Sequence, residues 1–122
     1  MRISEAASTS GLSIDTIRYY EKLDLLPKIA RGSDGKRDFS AETVEWLILL
    51  SSLRETGMPM ERMRYFAQLY QNQRGNETLS ERKAILLDHA AHLEKRRTAL
   101  DRCAEVLAYK LKRYDEMTEE LS

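Results

Sequence analysis

Leu86, Leu93, Leu100, Leu107, Tyr114 and Leu121 recur every seven residues, in a segment with no glycine, proline or asparagine between Leu79 and Met117. A seven-residue period keeps an apolar seam on one side of a helix while that helix supercoils around another. Ala90, Ala104 and Leu111 extend the seam, whereas Arg97 and Thr118 interrupt it. Small alanines let two backbones approach closely. Glu94, Lys95, Arg96, Asp101, Arg102 and Glu105 line the flanks as solvated charge with some cross-helix pairing. A helix of about 40 residues runs about 60 Å at about 1.5 Å per residue. A chain of 122 residues is one ordinary domain, or a small domain with an appendage, and cannot bury such a seam in itself. The seam therefore predicts a homodimer held by Leu86, Leu93, Leu100, Leu107, Leu111 and Tyr114. The other solution, a helical hairpin within one chain, needs a turn residue that this segment lacks.

Composition narrows the setting. Twenty basic and twenty acidic side chains cancel, which gives no global signal for a nucleic-acid partner. The distribution does. Between Arg18 and Arg37, six bases (Arg18, Lys22, Lys28, Arg31, Lys36, Arg37) face three acids (Glu21, Asp24, Asp34). No stretch approaches the roughly 18 apolar residues of a membrane-spanning helix, and Met1-Arg2-Ile3-Ser4-Glu5-Ala6 lacks the apolar core of a signal peptide. The expected location is the cytoplasm, with no membrane partner. One cysteine, Cys103, excludes an internal disulfide and thiolate clusters built from one chain.

The amino-terminal part reads as two short helices. Ser4 is the expected cap of the first, Gly11 its left-handed terminator, and Ser13 the cap of the second. At about 100° per residue, Ile14, Ile17 and Tyr20 fall on one side of the second helix, and Asp15, Arg18, Tyr19 and Lys22 on the other. One side packs and the other reads. Arginine offers a planar fork of donors for guanine edges or phosphates, and a tyrosine hydroxyl can reach a phosphate. Two helices joined by Gly11-Leu12 predict a helix-turn-helix whose second helix enters the major groove. Pro27 stops any continuation, and Gly32-Ser33-Asp34-Gly35 predicts a tight hairpin between Lys28 and Phe39. Such a hairpin would act as a wing, with Lys36 and Arg37 just past its tip.

Ser40 should cap a further helix in which Val44, Leu47, Ile48 and Leu50 crowd one face beside Trp46, closed by Gly57. Pro59 suits the first turn of the next helix, where Met60, Met63, Phe66, Ala67 and Tyr70 recur at helical spacing as core. The polar stretch from Gln71 to Glu77 reads as a hinge, and Thr78-Leu79-Ser80-Glu81 as a capping box. These readings place a DNA-binding domain at 1–70, a hinge at 71–77, a dimerisation helix at 78–118 and a tail at 119–122.

At this point the chain resembles, over essentially its whole length, the MerR family of bacterial transcription regulators. The resemblance rests on Ile3, Glu5-Ala6-Ala7, Gly11-Leu12, Thr16-Ile17-Arg18-Tyr19-Tyr20-Glu21, Leu25-Leu26-Pro27, Arg37 with Phe39, and Leu53-Arg54-Glu55-Thr56-Gly57-Met58-Pro59-Met60. It implies a mostly α-helical fold: a winged helix-turn-helix head with a small β-hairpin wing, a second helix pair, and a long carboxy-terminal helix forming an antiparallel coiled-coil dimer. It also implies binding to a pseudo-palindromic promoter whose overlong spacer is bent and untwisted so that RNA polymerase engages both elements, a control exerted through DNA shape. Ser13, Thr16, Arg18, Tyr19, Tyr20, Lys36, Arg37 and Arg54 are the expected contacts to double-stranded promoter DNA: Arg18 and Tyr19 on the recognition helix, Tyr20 in support through packing or a phosphate bond, Arg37 on the wing, and Arg54 as a phosphate anchor. Two positions depart from the family pattern. Asp24 stands where glycine is usual, and Phe39 replaces a wing tyrosine.

The family's metal and iron–sulfur sensors supply several cysteines, and its multidrug sensors append a domain. The short architecture here resembles the thiol- and aldehyde-responsive branch. Cys103, three residues after Leu100 and beside the seam, is the candidate sensor thiol, set against an inert role as a small apolar residue. His89 and His92 lack a third ligand, so no metal site and no cofactor is expected. No phosphate-cradling loop, catalytic metal set or nucleophile beside a base appears, so no enzyme is expected. The competing reading is a coiled-coil adaptor that ignores DNA.

Overall fold

The computed structural model describes residues 1–72 and 76–122, which form two compact units, Met1–Ile85 and Leu86–Ser122. The elements are α1 (Ile3–Ser10), α2 (Ile14–Lys22), β1 (Ala30–Arg31), β2 (Arg37–Asp38), α3 (Ala41–Glu55), α4 (Met60–Gln71) and α5 (Leu79–Leu121). The expected fold class is the one observed: mostly helix, one small hairpin and a long last helix. No helix among the described residues is long and apolar enough to cross a membrane.

In the first unit, local signals set the boundaries. Gly11 terminates α1 at φ 78° and donates its N–H to the Ala7 carbonyl, a left-handed geometry that costs glycine little. The Ser13 hydroxyl caps α2 and the Ser40 hydroxyl caps α3, each accepting the N–H three residues on. Ser4 does not cap α1: the helix begins two residues earlier than that cap requires, at Ile3, with Arg2 in the capping position and no side-chain cap bond. The reason is long-range, because Met1 pairs with the wing exit, its carbonyl accepting the Phe39 N–H at 2.7 Å. Pro59 likewise precedes α4 as its cap residue and lies outside the first turn. Asp24 takes the left-handed conformation, φ 58°, which aspartate tolerates better than most residues.

The core lies where α1, α2, α3 and α4 meet. Ala6, Ile17, Leu25, Phe39, Leu47, Leu50, Met63 and Ala67 are sealed from solvent. Phe39 fills this interior from the end of the wing. Ile48, expected in the same face as Leu47, is instead 42% exposed. Thr43, Val44, Trp46, Leu47, Leu50 and Leu53 already bury two sides of α3, and Ile48 falls outside that arc.

The expected hinge overlaps residues 73–75, which lie outside the described residues. Beside them, Asn72 closes α4 and Leu79 donates to the Asn76 carbonyl at 3.1 Å. The capping-box side chains carry other bonds: the Thr78 hydroxyl donates to the Leu69 carbonyl at 2.8 Å, and the Glu81 carboxylate accepts from the Tyr65 hydroxyl.

The second unit is the continuation of α5 beyond Ile85, and none of its residues is buried. Leu100, Leu107, Leu111, Tyr114 and Leu121 are more than half exposed, while Leu86 and Leu93 are half-buried.

Candidate nucleic-acid interface

The two-sided character of α2 is present as the sequence predicts. Ile17 and Tyr20 are buried, whereas Arg18 and Tyr19 are exposed. Ser13 and Thr16, expected among the DNA contacts, hold the amino end of the helix: the Ser13 oxygen accepts the Thr16 N–H at 3.0 Å, and the two hydroxyls bond at 2.8 Å. Tyr20 is 5% exposed, so its ring is core. Burial raises the pKa of its phenol, nearby Arg54 opposes that shift and Glu55 adds to it. Arg54 itself is exposed in the last turn of α3. Of the two roles weighed for Tyr20, the ring has taken packing.

The wing is an antiparallel pair in which Ala30 faces Asp38 and Arg31 faces Arg37. Its tip is longer than a two-residue turn. Gly32 donates to the Lys36 carbonyl at 2.8 Å, Gly35 donates to the Gly32 carbonyl at 3.0 Å, and Gly35 sits at φ 79°. This is the three-residue loop in which a left-handed glycine closes a turn. The Asp34 carboxylate orders it by accepting the Lys36 N–H at 3.1 Å.

Arg37 was expected to grip DNA directly. Its guanidinium is instead committed as a fork to Glu21 of α2, with Nε to Oε2 at 3.0 Å and the second nitrogen to Oε1 at 2.6 Å. Both partners are about one-third exposed, so the pair is screened in part, but its bidentate geometry fixes the wing against the recognition helix. Lys36 remains exposed beside it.

Between α1, α2 and the wing runs a groove of about 460 Å³ lined by Arg2, Arg18, Arg31, Lys36 and Arg37 together with Ser4, and no carboxylate contributes to its described lining. Sequence reasoning missed Arg2 and Arg31 as site residues. Arg31 counted only toward local charge. Arg2 is distant in sequence from the wing, and no periodicity could bring it there. Across the tip Arg31 donates to the Gly35 carbonyl at 2.8 Å, and Arg2 is bonded through both terminal nitrogens to Asp34. That pair lifts the Arg2 pKa and holds the Asp34 carboxyl below its ordinary range, with the Lys36 N–H helping. A channel lined by cations that include the exposed Arg18, next in sequence to the exposed Tyr19, has the chemistry of a phosphodiester path.

The model of the MerR HTH family regulatory protein matches residues 1–69. The chain belongs to the MerR family. A second family model, described as MerR, DNA binding, matches residues 44–109. An uncharacterized HTH-type transcriptional regulator of Haemophilus influenzae is 32% identical over 111 residues, 91% of this chain and 81% of that protein. The transcriptional regulator AdhR of Bacillus subtilis is 32% identical over 93 residues, 76% of this chain and 65% of its own length. Among solved structures, HiNmlR, a MerR family regulator lacking the sensor domain and bound to promoter DNA, superposes with a TM-score of 0.84 at 31% identity, covering 94% of this chain and 86% of that one. A MerR family regulator from Bacillus thuringiensis superposes at 0.79 with 25% identity, covering 93% and 97%. These relatives are transcription regulators, which favours the regulator reading of this MerR chain over the adaptor.

Outside the head, Cys103 is a free, exposed thiol. His89 and His92 do not join any group of three or more histidine, cysteine, aspartate or glutamate side chains fit to hold a metal among the described residues.

Proposed function

We propose that this MerR chain acts as a homodimeric transcription regulator that binds a pseudo-palindromic promoter and changes the shape of its spacer DNA. The observation that carries the reading is the combination, in one chain, of an exposed recognition surface and an exposed leucine seam. Residues 1–70 form the DNA-binding part, residues 71–77 link it to the helix, and the seam at 78–118 pairs two copies as an antiparallel coiled coil, with 119–122 as a tail. Leu86, Leu93, Leu100, Leu107, Leu111 and Tyr114 are the dimer contacts.

Arg18 reads base edges in the major groove. Tyr19, Lys36 and Arg54 contact backbone, with Arg2 and Arg31 added to them in the cationic groove. Arg37 positions the wing through Glu21. Ser13 and Thr16 bring the amino end of α2 to a phosphate, where the helix dipole favours an anion. RNA polymerase responds to the altered promoter shape without a dedicated docking site. The protein works in the cytoplasm. Cys103 is the sensor candidate: its modification would disturb packing beside the seam.

The test is selection of bound duplexes from a random pool by the purified chain, followed by titration at several salt concentrations. The expected result is a two-fold-related consensus with a steep salt slope. Arg18→Ala should weaken the selected duplex by about tenfold or more while leaving nonspecific binding nearly intact, as expected for loss of a bidentate base contact. A Cys103→Ser chain whose binding responds to an electrophile as the parent does would remove the thiol proposal.

A further inference from the structure

The exit of the recognition helix is held by side chains from two other helices. Leu23 caps α2 and Asp24 follows in the left-handed conformation. The Asp24 carbonyl accepts from Gln71 Nε2, at the end of α4, at 2.9 Å. The next carbonyl, that of Leu25, accepts from the indole Nε1 of Trp46 on α3 at 2.8 Å in a buried bond. Trp46 is the single tryptophan of the chain and is 6% exposed.

The indole is held in turn. Tyr70 stacks on it with ring centroids 4.3 Å apart and planes 15° from parallel, and Phe66 stacks at 5.4 Å and 12°. The Tyr70 hydroxyl donates to Glu42 at 3.0 Å. Over the ring of Tyr70, 5.5 Å from its centroid, lies the guanidinium of Arg82 in the first turn of α5. Arg82 is also anchored locally, its Nε donating to the Thr78 hydroxyl at 3.1 Å. Cation, ring, ring and carbonyl thus form an unbroken series from the start of α5 to the end of α2. Stacked rings at van der Waals separation do not compress, and the last link is a directional hydrogen bond, so a displacement of Tyr70 bears on the Leu25 carbonyl through Trp46.

Resting on the regulator reading above, we propose that Arg82, Tyr70 and Trp46 are positioning residues: they set the exit of the recognition helix from the first turn of α5, and movement of that turn changes DNA affinity without any change in the groups that touch DNA. None of the three lines the cationic groove. Their role is to fix the direction from which Arg18 and Tyr19 approach the duplex.

The test is amide hydrogen exchange by NMR on the full chain, free of DNA. The reporters are Leu23, Asp24 and Leu25, which donate to Tyr19, Glu21 and Tyr20 carbonyls, with the α1 amides as reference. Trp46→Phe removes the indole donor and keeps a ring in the stack; Arg82→Leu removes the cation. Each should speed exchange at the three reporters by about fivefold relative to α1, the effect of losing about one hydrogen bond or cation–π contact. The double variant should exceed neither single by much, the non-additivity expected of two links in one series. Tyr65→Phe, which cuts the separate Tyr65–Glu81 contact between α4 and α5, should leave the reporters unchanged. If Arg82→Leu fails to fold, Arg82→Gln, which removes the cation and keeps a polar side chain, is judged by the same criterion. An effect of the Arg82 variant confined to α4 and α5, or additivity in the double variant, overturns the relay. On a duplex selected by the parent chain, Arg82→Leu should lower affinity while leaving the salt slope unaltered, since no phosphate contact is lost. A slope change would make Arg82 a DNA contact and also overturn the proposal. A parent chain that selects no duplex would overturn the regulator reading, while the exchange result would still decide the relay.

Discussion

The head and the tail of this molecule solve the same problem in opposite ways. Within Met1–Ile85, side chains from four helices and the wing exit seal one another, and Leu25, Leu47, Leu50 and Met63 reach complete burial. Within Leu86–Ser122, the leucine seam reaches none, and Leu100 stands 69% exposed. The head is stabilised by its own packing, whereas the tail leaves its leucine seam open along one side for a second copy to cover. Exposure of a large apolar side chain stands against the hydrophobic driving force. The contrast teaches that the two parts answer to different variables: the head to internal packing, the tail to protein concentration.

The sharpest way to break the contrast is to charge the seam. A Leu100→Lys, Leu107→Lys chain should sediment as a monomer, lose much of its helical circular dichroism and bind its selected duplex on the order of a hundredfold more weakly, because the loss of bivalent binding is added to the loss of helix. Trp46 fluorescence should report an unchanged head. Next in size, Leu50→Ala should destabilise the head by about 2–5 kcal/mol through transfer and cavity costs. Sedimentation should still give a dimer at temperatures where the head remains folded. If it gives monomer, the two parts are not independent.

The smallest effect probes the wing. Asp34 is bonded to Arg2, which a phosphate would otherwise claim, so Asp34→Asn should raise duplex affinity by about threefold, in line with exposed ion pairs of modest worth. The accompanying titration has a defined sign. Because the folded-state pKa of Asp34 is depressed, chiefly by Arg2, its contribution to wing stability is present above the ordinary carboxylate value of about 4 and is lost as pH falls through the lower folded value. A carboxyl chemical-shift titration should give a midpoint below that ordinary value, and Arg2→Ala should move the midpoint back up. A midpoint unaffected by Arg2 would mean that the pair does not form in solution.

Features encoded within a few neighbouring residues were legible in the sequence. Ser13 and Ser40 cap because a hydroxyl reaches the N–H three residues on, Gly11 turns because it lacks a Cβ, and the sidedness of α2 follows from helical spacing alone. Readings failed where a distant segment decides the outcome. Ser4 lost its cap because Met1 pairs with Phe39, and Ile48 lost its place in the core because the packed arc of α3 excludes it. The recruitment of Arg37 by Glu21, and of Arg2 and Arg31 to the groove, depends on how the hairpin folds back onto α1 and α2. Charge counting located the basic region but could not say which cations are free.

The fork between Arg37 and Glu21 bears on where flexibility resides when the protein meets its target. A reading helix and a flanking hairpin joined by a two-pronged ion pair arrive with their relative placement already set, so splaying apart to follow an ill-fitting helix costs that pair. We propose that the compliance then comes from the nucleic acid, so that base steps never touched, provided they yield readily, become part of what is chosen.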